Sequence, residues 1–248
     1  SSLEGEVKMK VLALDSSGLV ASVAIASEDE LLAEYTVNFK KTHSQTLLPM
    51  LDEIVRMVDL DMAEVDAIAI TAGPGSFTGL RIGSATAKGL GLALGKPIIA
   101  VPTLEALAYN LYGTDKMICP IMDARRNQVY TGLYEFDNNN LIHITPQKAV
   151  DIDEIIDEIN LTGREVIFLG DGVAIQKDRI ASRIKVGYTF APLHKNRQRA
   201  GTVAALAHVY YKKGIVETAS EHQPIYLRMS QAERERAERL EKEKNKEG

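Results

Sequence analysis

The sequence predicts an α/β fold made of two copies of one unit, each a mixed β-sheet flanked by helices. Three observations predict it. A strand, Val65 to Thr71, runs into the glycine-rich turn Gly73-Pro74-Gly75-Ser76-Phe77-Thr78-Gly79 and then into a helix from about Gly79 to Leu94. A short apolar strand ends in aspartate at two places, Lys10 to Leu14 before Asp15 and Ile118 to Met122 before Asp123. After each of them the same order of elements returns.

In the first copy, Ser16-Ser17-Gly18 turns the chain into the alternating strand Val20 to Ala26. A third strand (Leu31 to Val37), a helix (about Ser44 to Val58) and the strand Val65 to Thr71 follow. In that strand Ile68 and Ile70 share one face while Ala67 and Ala69 share the other, and both faces suit burial. In the second copy, a turn through Ala124 to Asn127 leads into Val129 to Phe136. Leu141 to Ile144 supplies a third strand, Asp151 to Ile159 a helix, and Val166 to Leu169 the strand before Gly170-Asp171-Gly172. A helix from Ala200 to Lys213 and a turn at Pro224 close the pattern. Two such units facing each other across a cleft constitute the actin-like ATPase fold. The first lobe takes residues 9–105, joined by 216–229, and the second takes 106–215. Residues 1–8 read as a tag or disordered, and 230–248 as a charged, solvated tail.

Composition narrows the function. The 248 residues carry a net charge of −5, which argues against the broad basic face that sequence-independent nucleic-acid binding needs. His194 to Arg199 is a local basic cluster without interleaved aromatics and reads as a solvated loop. No apolar run reaches membrane-span length and no signal peptide is evident, so a cytoplasmic protein is expected. Cys119 is the single cysteine, and its neighbours Met117, Ile118 and Ile121 place it in a core.

The glycine turn admits two readings. Its free backbone N–H groups suit a phosphate, or its glycines let the following helix pack closely. It matches neither the P-loop, which ends Gly-Lys-Ser/Thr, nor the dinucleotide spacing. A nucleotide or phosphate site in the actin-like cleft would draw on Asp15, Ser16, Gly73, Gly75, Ser76, Asp123 and Arg125, with the two aspartates suited to Mg²⁺. Asp123-Ala124-Arg125-Arg126 stands where a phosphate turn wants glycine, so the cleft reads as degraded.

Two helices carry more apolar surface than one core needs. Leu47, Leu48, Leu51, Ile54 and Val55 cover much of the first. In the second, Gly79, Gly83, Ala87 and Gly91 recur every four residues, and Ala85, Gly89 and Ala93 form another small-residue stripe. One stripe suits the sheet, the other a helix of a second chain. The expected partner surface comprises His43, Leu47, Leu48, Leu51, Ile54, Val55, Gly79, Arg81, Gly83, Ala87, Lys88 and Gly91.

Across nearly its whole length the chain resembles the bacterial TsaB family of tRNA threonylcarbamoyladenosine biosynthesis proteins. The resemblance is carried by Leu12-Ala13-Leu14-Asp15-Ser16-Ser17, His43-Ser44-Gln45-Thr46-Leu47-Leu48-Pro49, the segment Gly73 to Gly83, Asp123-Ala124-Arg125 and Pro224-Ile225-Tyr226-Leu227-Arg228. It implies a non-catalytic subunit with no cofactor or metal of its own, ATP or ADP entering only with the complex. It implies as partners a catalytic paralogue (TsaD-like) and an ATPase subunit (TsaE-like), with tRNA met through the complex. In isolation the uncovered apolar surface is expected to pair with a second copy as a homodimer. The catalytic relatives carry a metal-binding His-x-x-x-His pair, and here Thr103 and Leu107 stand in its place. Two departures are Gln198 before Arg199-Ala200, where relatives often have proline, and the tail from Ser230. The alternative reading is an actin-fold kinase or glycoprotease-type peptidase acting by itself.

Overall fold

The computed structural model describes residues 8–38, 43–229 and 231–244, with side chains from 46 and 232 onward in the helices that begin at 43 and 231. Strands β1 (Val11–Asp15), β2 (Ala21–Ala26), β3 (Leu31–Val37), β4 (Ala67–Gly73) and β5 (Ile98–Pro102) form one sheet in the order β3-β2-β1-β4-β5. Strands β6 (Met117–Asp123), β7 (Gln128–Asp137), β8 (Asn140–Asp151), β9 (Val166–Leu169) and β10 (Tyr188–Phe190) form the other, in the order β10-β9-β6-β7-β8. Read from β8, this is the first order again. The pairing senses repeat too: the first three strands of each unit are antiparallel neighbours, and the fourth and fifth run parallel to the first. The duplicated α/β unit and the actin-like architecture are therefore present.

Side-chain alternation decides what covers each face. On the first sheet, Leu12, Leu14, Ile68 and Ile70 point toward α1 (His43–Met57) and α2 (Phe77–Leu94), where Leu47, Met50, Leu51, Ile54 and Ala87 meet them. The opposite face is lined by Val11, Ala13, Ala24, Ala67 and Ala69, and it receives Ala200, Val203, Ala204 and Ala207 of α6 (Ala200–Lys212). The sequence reading placed this helix in the second lobe. It packs on the first because a helix face of alanines fits a sheet face of alanines.

The second sheet buries Met117, Cys119, Ile121, Val166 and Phe168 under α4 (Ile152–Thr162) and α5 (Gly172–Arg183). Its other face meets α3 (Thr103–Tyr109), through Leu104, Leu107 and Ala108. Strand β5 and helix α3 were not assigned from sequence, and β8 runs well beyond the four residues expected. The tail forms α7 (Gln231–Lys244), whose described side chains are exposed except for the half-buried Arg234. No described helix is long and apolar enough to cross a membrane. The basic cluster is not a solvated loop throughout: Gln198 is buried, and Arg199 pairs with Glu34 at 2.8 Å.

Burial has two measurable consequences. The Cys119 thiol is pushed up to about 12 by its apolar surroundings. It should stay unreactive toward a thiol-disulfide reagent at pH 8 in the native protein and react at once in denaturant. Burial also holds the His208 imidazole of α6 below its usual range. The unfolded state then binds a proton that the folded state refuses, so stability should be lost as pH falls through about 6.5. Chemical denaturation of His208→Gln should show a flatter dependence between pH 7 and pH 5.

Candidate functional site

The glycine turn is closed against its own chain. Ser76 N donates to Ser17 O at 2.7 Å, and a Cβ on Gly75 would stand 2.1 Å from the same oxygen. Gly73 has φ +116°, and a Cβ there would meet Ile225 O at 2.1 Å. The Ser76 side chain accepts from Gly79 N at 3.3 Å and caps α2. Close packing therefore accounts for these glycines.

Between the lobes lies a cleft of about 720 Å³, with Ser17, Gly75, Asp123, Arg125, Asp171 and Arg228 on its walls. Of the residues expected to hold phosphate, Gly75, Ser76, Asp123 and Arg125 line it. Asp15, Ser16 and Gly73 lie behind it. Asp15 is fully buried, with Oδ1 accepting from Ser17 N at 3.0 Å and Ser17 Oγ at 2.7 Å. Ser16 Oγ donates to Gly79 O at 2.7 Å. The expected convergence of Asp15 and Asp123 is thus replaced by Asp123 and Asp171, both from the second lobe, with Asp171 Oδ1 accepting from Asp123 N at 2.8 Å. Burial pushes the Asp171 carboxyl up, its hydrogen bond from Asp123 N and the charge of Arg197 oppose this, and the Asp123 charge adds to it. Asp171 was visible in sequence only as the middle of Gly170-Asp171-Gly172. Among the described residues, no group of three or more His, Cys, Asp or Glu side chains is placed to hold a metal ion.

Thr103 and Leu107 are both fully buried. Glu105 between them joins the lobes: it contacts His143 Nε2 of β8 at 2.5 Å and accepts a hydrogen bond from Tyr210 of α6. Burial pushes its carboxyl up, against the opposing pull of His143. This run of sequence is a structural joint.

The surface expected to bind a partner divides in two. Leu47, Leu51, Ile54, Gly79, Gly83, Ala87 and Gly91 turn inward and are buried by this chain's own sheet. Val55 and Lys88 are half-buried, Leu48 and Arg81 exposed, and the side chain of His43 lies outside the described residues. The second stripe, Ala85, Gly89 and Ala93, faces outward with Leu92, whose exposure is 62%. Two residues' offset turns a helix by about 200°, which is why two stripes of like composition point opposite ways.

One cluster had no sequence signal. The His222 ring bridges Ser84 Oγ of α2 at 2.8 Å and Glu217 Oε1 at 2.5 Å, joining residues 138 positions apart. A serine, a histidine and a carboxylate in line are the groups of a hydrolytic triad. Here Ser84 and His222 are buried and neither lines the cleft, so the cluster is a clasp.

The two stripes make opposite predictions. A Cβ on Gly83 would stand 2.3 Å from Ser16 Oγ, whereas nothing lies within 4 Å of one on Gly89. Gly83→Ala should cost about 2 kcal/mol in denaturant unfolding. Gly89→Ala should add about 0.5–1 kcal/mol through helix propensity.

Residues 30–236 match the family described as TsaD, tRNA N6-adenosine threonylcarbamoyltransferase. The chain is 34% identical over 227 residues to the tRNA threonylcarbamoyladenosine biosynthesis protein TsaB of Bacillus subtilis, covering 91% of this chain and 96% of that one. It is 28% identical to TsaB of Haemophilus influenzae, over 89% of this chain and 94% of its counterpart. A solved structure from Pseudomonas aeruginosa, described as an uncharacterized protein similar to peptidase YeaZ, superposes with a TM-score of 0.75 at 26% identity, covering 89% of this chain and all of that one. At 34% identity over nearly the full length of both chains, this chain belongs to the TsaB family of tRNA threonylcarbamoyladenosine biosynthesis proteins.

Proposed function

We propose that the chain is a non-catalytic subunit of the complex that forms N6-threonylcarbamoyladenosine in tRNAs reading codons that begin with A. It docks the catalytic paralogue on the outward faces of α1 and α2. The observation that carries this reading is the stripe Ala85, Gly89 and Ala93, left open with its neighbour Leu92 while the inner stripe already serves the sheet; Leu48 of α1 is exposed as well. Small residues let a partner helix approach closely, and the flanking leucines supply apolar area. The ATPase subunit and tRNA then meet the assembled complex, and ATP or ADP enters with it. In isolation the same face pairs with a second copy.

Reconstituted threonylcarbamoyl transfer to tRNA tests the reading. Activity should require this chain together with the paralogue. Gly89→Arg should cut paralogue affinity by about 2 kcal/mol or more in isothermal titration, with Tm at or above the wild type's. Transfer by this chain alone, or undiminished binding by Gly89→Arg, would reject it.

A further inference from the structure

The segment after α6 returns along the inner edge of α2. Ile98 and Glu217 exchange backbone hydrogen bonds of 2.8 and 3.0 Å. Ala219 Cβ lies 3.0 Å from where a Cβ on Gly91 would stand, in the last turns of the helix. His222 reaches Ser84 at its middle. Ile225 N donates to Ala72 O at 2.6 Å, and Tyr226 stacks on Phe77 at the helix start, with ring centroids 4.6 Å apart and planes 11° from parallel. The strap ends on the second lobe, where Arg228 donates to Ala124 O at 2.5 Å.

Leu80 is fully buried in the first turn of α2, and Leu90 and Leu94 pack on the core near its end. Between them, Gly83, Ala87 and Gly91 allow close approach but offer no large side chain to fix the middle of the helix against rotation or sliding. Directional bonds do that: Ser16 Oγ holds Gly79 O in the first turn, and His222 holds Ser84 five residues on. Ser84 is the immediate neighbour of Ala85, the first residue of the outward stripe. The geometry points to His222 as a positioning residue for the docking face: its bridge between Glu217 and Ser84 sets the rotation of α2 that aims Ala85, Gly89 and Leu92 at the partner. The inference rests on the docking reading above. A polar bridge inside an apolar core fixes one register where small apolar contacts tolerate several.

The test pairs Ser84→Ala/His222→Phe, which keeps the core filled and leaves the part-exposed Glu217 to solvent, with the gentler single change Ser84→Ala. Nitroxide labels at Arg56→Cys on α1 and Ala93→Cys on α2 report the register of the free chain by pulsed electron paramagnetic resonance, Cys119 being buried, and paralogue affinity is read on the unlabelled variants without these two cysteines. In both variants the interlabel distance should shift or broaden, and affinity for the catalytic paralogue should fall about tenfold, while Tm stays close to the wild type's. His222→Gln, with a donor and an acceptor on one side chain, should recover part of the narrow distribution. An unchanged distance distribution would overturn the positioning role, and so would a shifted distribution with undiminished paralogue affinity. A wild-type chain that fails to bind the paralogue would instead reject the docking reading on which this one rests.

Discussion

Helix α2 lies so close to its surroundings that a side chain is excluded at Gly83 and crowded at Gly91 on its inner edge. A Cβ on Gly83 would stand 2.3 Å from Ser16 Oγ, and one on Gly91 would stand 2.9 Å from Ile98 Cδ1. Each glycine costs helix stability, about 1 kcal/mol relative to alanine, so the close packing must offset the loss. The same approach holds Ser16 under Gly79 and brings Ser17 O onto Ser76 N. A turn closed in this way has spent a backbone donor that a phosphate would need. Packing that leaves the outer stripe of α2 open therefore also takes up Ser76 N, one of the backbone donors of the glycine turn.

The second lobe repeats the scheme and then departs from it. Gly170 has φ +107°, and a Cβ there would meet Ile121 O at 2.2 Å, as one on Gly73 would meet Ile225 O. The β6–β7 turn carries no glycine, yet Arg125, Arg126 and Asn127 adopt φ of 64°, 55° and 60°. Three successive non-glycine residues in the left-handed region are held there by Arg125 N on Asp123 Oδ1 and by Ile152 N on Asn127 O. Both carboxylates of the cleft come from this side, and burial first, with a smaller addition from the Asp123 charge, raises the Asp171 carboxyl. An arrangement of that kind differs from two aspartates facing each other across a metal.

Local pattern was enough to read the units of the fold. The alternation of Ile68 and Ile70 with Ala67 and Ala69 shows a strand buried on both faces, and those faces are covered by α1 with α2 and by α6. The recurrence of an aspartate after a short apolar strand revealed the duplication. What remained hidden depends on phase and on distance along the chain. The two small-residue stripes of α2 have nearly the same composition, and only the rotation of the helix on the sheet decides which is buried. Leu51 and Ile54 looked like spare apolar surface because the depth of the core beneath α1 is set by β1, β2 and β4. The clasp of Ser84, Glu217 and His222, and the entry of Gln198 beside Ser17, join segments far apart in sequence and leave no periodic trace.

The joint between the lobes bears on how such a chain would work. Helices α3 and α6 pack on each other, one covering the second sheet and the other the first. Glu105 of α3 is held by Tyr210 from one side and His143 from the other. Asn110 receives Thr202 Oγ1 and donates to the carbonyls of Lys195 and Arg197, at 3.1 and 2.8 Å. Arg228 and Gln198 add links at the cleft itself. An enzyme that closes on substrate needs a hinge with few contacts to break. Here, opening the lobes would expose part-buried polar groups on α3 and α6 together, each costing about 1–3 kcal/mol if left unpaired. A joint of this kind favours a fixed frame over a pair of lobes that closes.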